Sequence, residues 1–256
     1  MAINARIDRR IARPSRDEAR RRPVEPTIRL RILDAFRLTI DGRSIELPHP
    51  AKRLVALLAV RGHPLLRSYA AAALWLDHSD DRAGANLRSV LWRLRQRGLP
   101  IIVLHRGTVE LDPAVRVDLR EAIALARRWL ACIETEEDRE RASAGLEGEL
   151  LPDWDDDWVR DERERFRQLR LHGLEAMAER LAASDRWGDA VLAALDALAS
   201  DPLRESAHRA VIKVHLAEGN VAEAIRQLRR CERLMIEEVG VPPSSKLQEL
   251  ITAAVG

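Results

Sequence analysis

The sequence predicts a mainly α-helical protein with a small β part, in which the strands come first and a helical repeat domain follows. Apolar and polar residues alternate around Ile28 to Ile40, as they do in a β-strand. From Asp118 nearly to the end, apolar residues recur at helical spacing. Two similar segments place Ala190 and Ala224 34 positions apart, the period of a tetratricopeptide repeat. The 256 residues are enough for about two domains with their own cores.

Charge divides the chain in the same way. The total of +2 is made of +4 over residues 1–26, +7 over 27–117 and −9 over 118–256. Nearly all basic residues are arginines, whose planar guanidinium can bind phosphate or guanine through two hydrogen bonds. A basic N-terminal part and an acidic C-terminal part predict two domains. The first, over 27–117, is expected to bind a polyanion, and the second, over 118–256, is expected to have a different function.

Residues 1–26 are predicted to be a disordered arm. They are rich in arginine, contain Pro14, Pro23 and Pro26, and have few large apolar side chains. The arm could add non-specific electrostatic attraction to nucleic acid. A dispensable tail is the alternative.

The region 27–117 has the element order of a winged helix-turn-helix. Alternating segments on both sides of the Asp41-Gly42 turn predict a small antiparallel sheet of about three strands. After three helices, short apolar runs around His105-Arg106-Gly107-Thr108 predict a β-hairpin with a basic tip. The first two helices are predicted over Pro50–Arg61 and over Tyr69–Leu76, the latter capped by Ser68 and followed by a polar turn over Asp77–Asp81.

The third predicted helix, Arg82 to Arg97, is amphipathic, with one apolar side and one basic side. Its apolar stripe consists of Leu87, Val90, Leu91 and Leu94. It contains five arginines and no acidic residue, so nothing within the segment neutralises them. In a winged helix-turn-helix, the third helix enters the major groove and the hairpin tip reaches the backbone. A solvated face on a structural helix is the alternative.

These considerations predict ten side chains that contact double-stranded DNA. Four on the basic helix are expected nearest bases or phosphates: Arg88, Ser89, Trp92 and Arg93. Six others are expected to hold the DNA backbone: Arg82, Arg95, Arg97, His105, Arg106 and Thr108. Phosphate contacts give affinity and register, whereas base contacts give sequence choice.

The region 118–256 is predicted to be a helical, tetratricopeptide-like repeat domain with a concave surface for a partner. The acidic run Asp155–Asp157 is expected to cap a long helix over Trp158–Ala183. Trp154 and Trp158 are interpreted as core between segments, with a ligand pocket as the alternative. Further helices are predicted over Trp187–Ala199, Leu203–Glu218, Val221–Glu238 and near Ser245–Ala254.

Several segments together resemble the SARP-type regulators, the antibiotic regulatory protein family of actinobacteria and their relatives. The segments that carry the resemblance are Ile28–Ile40, Asn86–Arg95, Gly148–Arg170, Asp201–Arg209 and Glu238–Ser244. This family couples an OmpR-like winged helix to a bacterial transcriptional activator domain. The resemblance implies a transcriptional activator that binds direct repeats near promoters and recruits RNA polymerase. It also implies that the helical domain aids dimerisation or protein contacts.

The sequence gives little support for other classes of function. It has no phosphate-binding glycine loop, no HExxH motif and no visible nucleophile–base set, so we expect no enzyme, cofactor or metal site. His208 and His215, seven apart, are interpreted as a packed or surface pair. Cys132 and Cys231, each within a helical pattern, are interpreted as unpaired thiols in a reducing compartment. Residues 1–26 lack the apolar core of a signal peptide, and a cytoplasmic protein is expected. A protein-interaction scaffold whose basic front merely aids solubility is the second hypothesis.

Overall fold

The computed structural model describes residues 26–255 and confirms a mainly helical architecture with a small β part at the N-terminal side. The predicted arm lies outside the described residues, apart from Pro26. The strands are β1 Ile28–Arg31, β2 Arg37–Ile40, β3 Arg43–Ser44, β4 Leu65–Leu66, β5 Ile102–His105, β6 Thr108–Leu111 and β7 Val115–Val117. The helices are α1 His49–Arg61, α2 Arg67–Leu74, α3 Asp80–Gln96, α4 Asp118–Leu130, α5 Glu136–Arg141, α6 Asp157–Ala182, α7 Trp187–Ser200, α8 Glu205–Glu218, α9 Val221–Val239 and α10 Ser245–Val255.

Both sheets contain one strand more than the sequence predicts. The first has the order β3-β2-β1-β7, and β7 runs parallel to β1. The second has the order β4-β6-β5, so the predicted hairpin gains Leu65–Leu66 as a third strand. Because β4 is two residues long and β7 is three, neither is long enough to establish an alternation of apolar and polar residues. Only pairing with neighbouring strands defines them as strands.

Four local predictions were wrong. Ser68 does not cap α2, because β4 runs directly into a helix that begins at Arg67. The turn between α2 and α3 lies two residues earlier than predicted, because α2 ends at Leu74 and α3 begins at Asp80. Asp156 precedes α6, but its side chain makes no capping hydrogen bond and binds the Arg53 guanidinium instead. Cys132 lies beyond the end of α4, where it is exposed and has a φ of 60°.

The helical part follows the sequence prediction closely, with helix ends within two residues of those expected from α7 onwards. Ala190 and Ala224, the small residues of the repeat, are both fully buried, as close helix contact requires. Trp154 stacks on Phe36 at 6.0 Å and meets Trp158 edge-on at 6.5 Å, which places both tryptophans in packing between the two parts of the chain. Cys231 is buried in α9, where burial raises the pKa of its thiol to about 11.

The strand region and the helical region share one apolar core. A single continuous cluster of buried side chains runs from Ile28 in β1 to Val214 in α8. Within it, α4 and α6 come so close at Gly173 that a Cβ there would lie 2.9 Å from the Cβ of Ala126. Such continuity fixes the orientation of α3 relative to the helical region.

Asp118, the first residue of α4, joins the two regions through its carboxylate. Ile32 and Leu33, just after β1, donate backbone N–H groups to its two oxygens at 3.0 and 3.1 Å. Burial raises the pKa of Asp118, and the N–H donors of Ile32, Leu33 and Leu119 oppose that rise by favouring the ionised form.

Further polar contacts extend this junction along α1 and α6. Arg120 donates to the carbonyls of Leu58 and Ala59 at 3.2 Å, near the end of α1. On the other side of α1, Arg53 binds Asp156, and Arg61 binds Glu162 at 2.8 Å. The half-buried arginines of α1 are therefore held by carboxylates of the helical region.

Replacing Asp118 by alanine is expected to destabilise the whole protein. The Ile32 and Leu33 N–H groups would lose their acceptor, at a cost of about 1–3 kcal/mol in the free energy of unfolding. Urea denaturation measures the change. Glu121→Ala, at an exposed position one turn further along α4, is the matched control and should stay within about 0.5 kcal/mol of the unmodified protein. Equal losses in the two variants would contradict the role given to Asp118.

A second prediction concerns Asp138, which ties α5 to α4 through Arg128 at 2.6 and 2.7 Å. The Arg128 guanidinium lowers the pKa of Asp138 from 3.8 to about 2. A carboxylate whose pKa is lower in the folded state stabilises the fold above its unfolded pKa, and this stability is lost as pH falls towards the folded value. Between about pH 4 and pH 2, the free energy of unfolding of the unmodified protein should fall by about 2 kcal/mol more than that of the Asp138→Asn variant. Parallel pH–stability curves for the two proteins would contradict this assignment.

Candidate nucleic-acid interface

Helix α3 is half buried and half exposed along its whole length. Its buried residues are Ala83, Leu87, Val90, Leu91 and Leu94, which includes the full apolar stripe predicted from the sequence. Helix α2 packs on this side. The rest of α3 is therefore free to meet a partner.

The structure places nine of the ten predicted side chains on the surface. The exposed residues are Arg82, Arg88, Ser89, Trp92, Arg93, Arg95, Arg97, His105 and Arg106, whereas Thr108 is half-buried. The first six lie on α3, Arg97 lies just after it, and the other three lie at the tip of the β5–β6 hairpin. Their exposure is what a contact surface requires, and their DNA contacts stay a prediction.

The arginines of α3 are not the whole of its charge. Asp80 and Asp81 form its first turn, so the complete helix is not one-signed as the segment from Arg82 is. Two carboxylates at the positive end of a helix dipole stabilise that helix. From Arg82 onwards, however, every charged side chain of α3 is an arginine.

Four α3 arginines are available to a ligand: Arg82, Arg88, Arg93 and Arg95. Within residues 26–255, none of them forms an ion pair with a carboxylate. Arg88 lies over Gly84, where a Cβ would come to 3.4 Å from its Nη1 atom. An arginine whose guanidinium has no partner within the protein can donate to phosphate or to base edges.

Two of the predicted contact residues already have partners. The Arg97 guanidinium donates to the Glu46 carbonyl at 2.7 Å, which ties the end of α3 to the segment after β3. His105 lies 2.9 Å from a Glu110 carboxylate oxygen on the neighbouring strand. Both residues therefore have a structural contact that the sequence does not reveal.

Trp92 is the large apolar side chain of this surface, with 62 % of its area exposed. It lines a shallow groove of about 600 Å³ together with Arg93, Gln96 and the segment Glu46–Pro48. An exposed aromatic ring beside arginines offers a stacking surface next to phosphate-binding groups.

Sequence reasoning missed Arg67 and Tyr69 at the start of α2. The Arg67 N–H donates to the Gly107 carbonyl at 3.0 Å, and its guanidinium reaches the His105 carbonyl at 3.4 Å. Tyr69 is 46 % exposed and lies 6.0 Å from the Arg61 guanidinium. The pairing of β4 with β6 brings Arg67 beside the hairpin tip, and no local pattern could have signalled that pairing.

Other candidate groups have structural roles. His208 is buried, accepts a hydrogen bond from Gln227 at 2.7 Å through Nδ1, and donates through Nε2 to the Pro202 carbonyl at 2.9 Å. Burial lowers its pKa, which favours the neutral ring that this arrangement needs. Over the described part of the chain, no helix is both long and apolar enough to cross a bilayer.

The chain combines a basic winged helix with a helical repeat domain. This architecture places it among winged-helix proteins that carry such a repeat domain. The family described as bacterial transcriptional activator domain matches residues 117–254, more than half of the chain. The chain belongs to this family, and the resemblance to SARP-type regulators is confirmed.

Particular relatives agree with that assignment. The chain is 28 % identical over 234 residues to the regulatory protein AfsR of Streptomyces coelicolor, a match that covers 87 % of this chain and 24 % of AfsR. AfsR of Streptomyces griseus is likewise 28 % identical over 240 residues, with 85 % and 24 % covered. The chain thus spans about a quarter of the length of these relatives.

A solved structure shows the same fold. EmbR of Mycobacterium tuberculosis, in complex with a low-affinity phosphopeptide, superimposes with a TM-score of 0.71 at 21 % identity. The match covers 90 % of this chain and 65 % of EmbR. At this identity the likeness concerns the fold alone.

The two roles found for the arginines on and just after α3 predict different effects on stability. Arg97→Ala removes the contact to the Glu46 carbonyl and should lower the free energy of unfolding by about 1 kcal/mol. Arg95→Ala, two residues earlier and without a partner in the described chain, is the matched control and should change it by less than about 0.5 kcal/mol. Urea denaturation measures the free energy of unfolding of both variants. An equal decrease in the Arg95 and Arg97 variants would refute the distinction.

Proposed function

We propose that this chain is a transcriptional activator that binds double-stranded DNA in a sequence-specific manner. In this proposal α3 lies in the major groove and the β5–β6 hairpin reaches the adjacent backbone. Membership of a regulator family supports the class of function, and it speaks for a DNA-binding regulator rather than an enzyme. The protein would act in the cytoplasm, where its DNA is found.

One observation carries the proposal: α3 exposes four arginines that no carboxylate of the described chain neutralises. Arg82, Arg88, Arg93 and Arg95 share a helix with a fully buried opposite side. Duplex DNA supplies the missing negative charge, because neutralising its phosphates releases condensed counterions. The surrounding protein supplies the rigidity, since the core that holds α3 is continuous with the helical domain.

We propose two domains with different functions, over residues 27–117 and 118–256. The first contains both sheets and α1–α3, and the second contains α4–α10. We assign contacts with RNA polymerase, and a possible homodimer, to the helical domain. Direct repeats near promoters are the proposed target, by resemblance to the family.

The alternative is a repeat scaffold with only non-specific affinity for nucleic acid. Exposed leucines favour it to some degree, because Leu192, Leu195 and Leu203 lie on or beside α7 and could meet a protein partner. The two proposals differ in what α3 does, and this difference can be measured.

A duplex selected in vitro from a random library gives the test. Arg88→Ala should weaken binding to the selected duplex by about 1–3 kcal/mol if Arg88 contacts a guanine, and the loss should be smaller on a duplex mismatched at that base. If Arg88 contacts only phosphate, all duplexes should weaken equally and the salt slope should fall by about 1. Fluorescence anisotropy at several salt concentrations separates the two.

Arg229→Ala is the matched control, because Arg229 is an exposed arginine of α9, far along the chain from α3. It should leave DNA binding unchanged. The proposal fails if selection yields no preferred sequence, or if the Arg88 and Arg229 variants bind DNA as tightly as each other.

A further inference from the structure

A groove of about 900 Å³ lies between the first sheet and helices α4 and α5. Its sheet wall carries four arginines, Arg29 and Arg31 from β1, Arg37 from β2 and Arg116 from β7. We call it the arginine groove. Neither α3 nor the β5–β6 hairpin contributes to its lining, so it is separate from the candidate nucleic-acid interface.

The register of the sheet places these four arginines in two directly opposed pairs. Arg31 pairs with Arg37 across the antiparallel strands, and Arg29 pairs with Arg116 across the parallel ones. All four are exposed, while their neighbours along the strands, such as Leu30 and Leu38, are buried. Like charges directly opposite each other destabilise a sheet. A bound anion would offset the cost of these opposed charges.

Asp118 offsets part of this repulsion, because its carboxylate lies close enough to Arg31 for the two charges to interact. None of the four arginines forms an ion pair with a carboxylate within residues 26–255. Two carboxylates that line the groove have other partners: Asp118 accepts N–H groups from Ile32 and Leu33, and Asp138 binds Arg128. Two rows of guanidinium donors therefore remain open to a ligand.

The walls of the groove are held in place without a ligand. Asp118 ties α4 to the end of β1, and the Asp138–Arg128 pair ties α5 to α4. A preformed groove of this volume falls within the range of small-molecule sites, which is about 300–1,000 Å³. Such a site loses little binding energy to ordering its own residues.

The opposite wall narrows the class of ligand. Glu121 and Glu147 also line the groove and are exposed. Carboxylates repel a plain polyanion, but they accept hydrogen bonds from the N–H groups of a nucleobase. A molecule with phosphates at one end and N–H donors at the other matches both walls, whereas DNA backbone matches only one.

We propose that the arginine groove binds a nucleoside di- or triphosphate, with its phosphates on the four strand arginines and its base towards Glu121 and Glu147. The site is independent of DNA binding by α3. Its occupation would remove the cross-strand repulsion and stabilise the junction of β1 with α4.

Isothermal titration calorimetry of the full chain with GTP, ATP and inorganic pyrophosphate tests the proposal, at constant ionic strength. At least one nucleotide should bind about tenfold or more tightly than pyrophosphate, because only the nucleotide has a base for the second wall. Equal affinity for pyrophosphate, or no binding of either nucleotide, would overturn it.

Variants locate the site. Arg37→Gln and Arg116→Gln should each weaken nucleotide binding by about tenfold or more, the loss expected for one charge-assisted contact. Arg43→Gln is the matched control, since Arg43 is an exposed arginine of the same sheet that does not line the groove. Glu121→Gln should weaken the binding of the nucleotide and not that of pyrophosphate. An equal loss in the Arg43 and Arg37 variants would show general charge attraction only.

Thermal unfolding, with and without nucleotide, gives a second measurement. Arg37→Gln should raise Tm in the absence of nucleotide, because it removes a like-charge pair, and should abolish the rise in Tm that nucleotide causes. A lowered Tm without nucleotide would contradict the repulsion. Displacement of the nucleotide by the selected duplex would show that the groove is a DNA surface and would overturn the proposal.

Discussion

The carboxylate of Asp118 is the interaction on which this structure depends. It begins α4, and at the same time it binds the backbone where β1 ends. The parallel pairing of β7 with β1 brings it there, because β7 leads directly into α4. The strand region and the helical region therefore cannot turn against each other without breaking half-buried hydrogen bonds. A rigid junction lets one part of the chain fix the angle at which the other meets a partner.

The same junction divides the arginines of the chain into two groups. Arg53 and Arg61 of α1 bind carboxylates of the helical region, and Arg120 of α4 donates to backbone carbonyls at the end of α1. The α3 arginines are exposed and have no such partners among the described residues. Composition alone shows a basic front, but only the tertiary arrangement tells which basic groups hold the fold together and which remain for a ligand. An acidic helical domain thus neutralises part of the basic one and leaves α3 charged.

Periodicity predicted what depends on local sequence. The buried stripe of α3, the long α6 and the repeat helices follow from apolar spacing, and the turn at Asp41-Gly42 follows from its residue types. What depends on distant partners was missed. The strand at Leu65–Leu66 exists because it pairs with β6, and Ser68 lost its expected capping role for that reason. The contact of Arg97 with Glu46 joins residues far apart in sequence, so the predicted site could not separate it from Arg95. The arginine groove was invisible for the same reason, since an alternating strand does not reveal which residues lie opposite.

The most direct test of this account is the distance between α3 and the helical domain in solution. Spin labels at Ala85→Cys on α3 and Arg229→Cys on α9, both exposed positions, would be placed in a chain with Cys132→Ser and Cys231→Ala. Double electron–electron resonance should give one narrow distance distribution, unchanged by duplex DNA, if the Asp118 junction holds the two regions as one body. A broad distribution, or one that shifts when DNA is added, would contradict it.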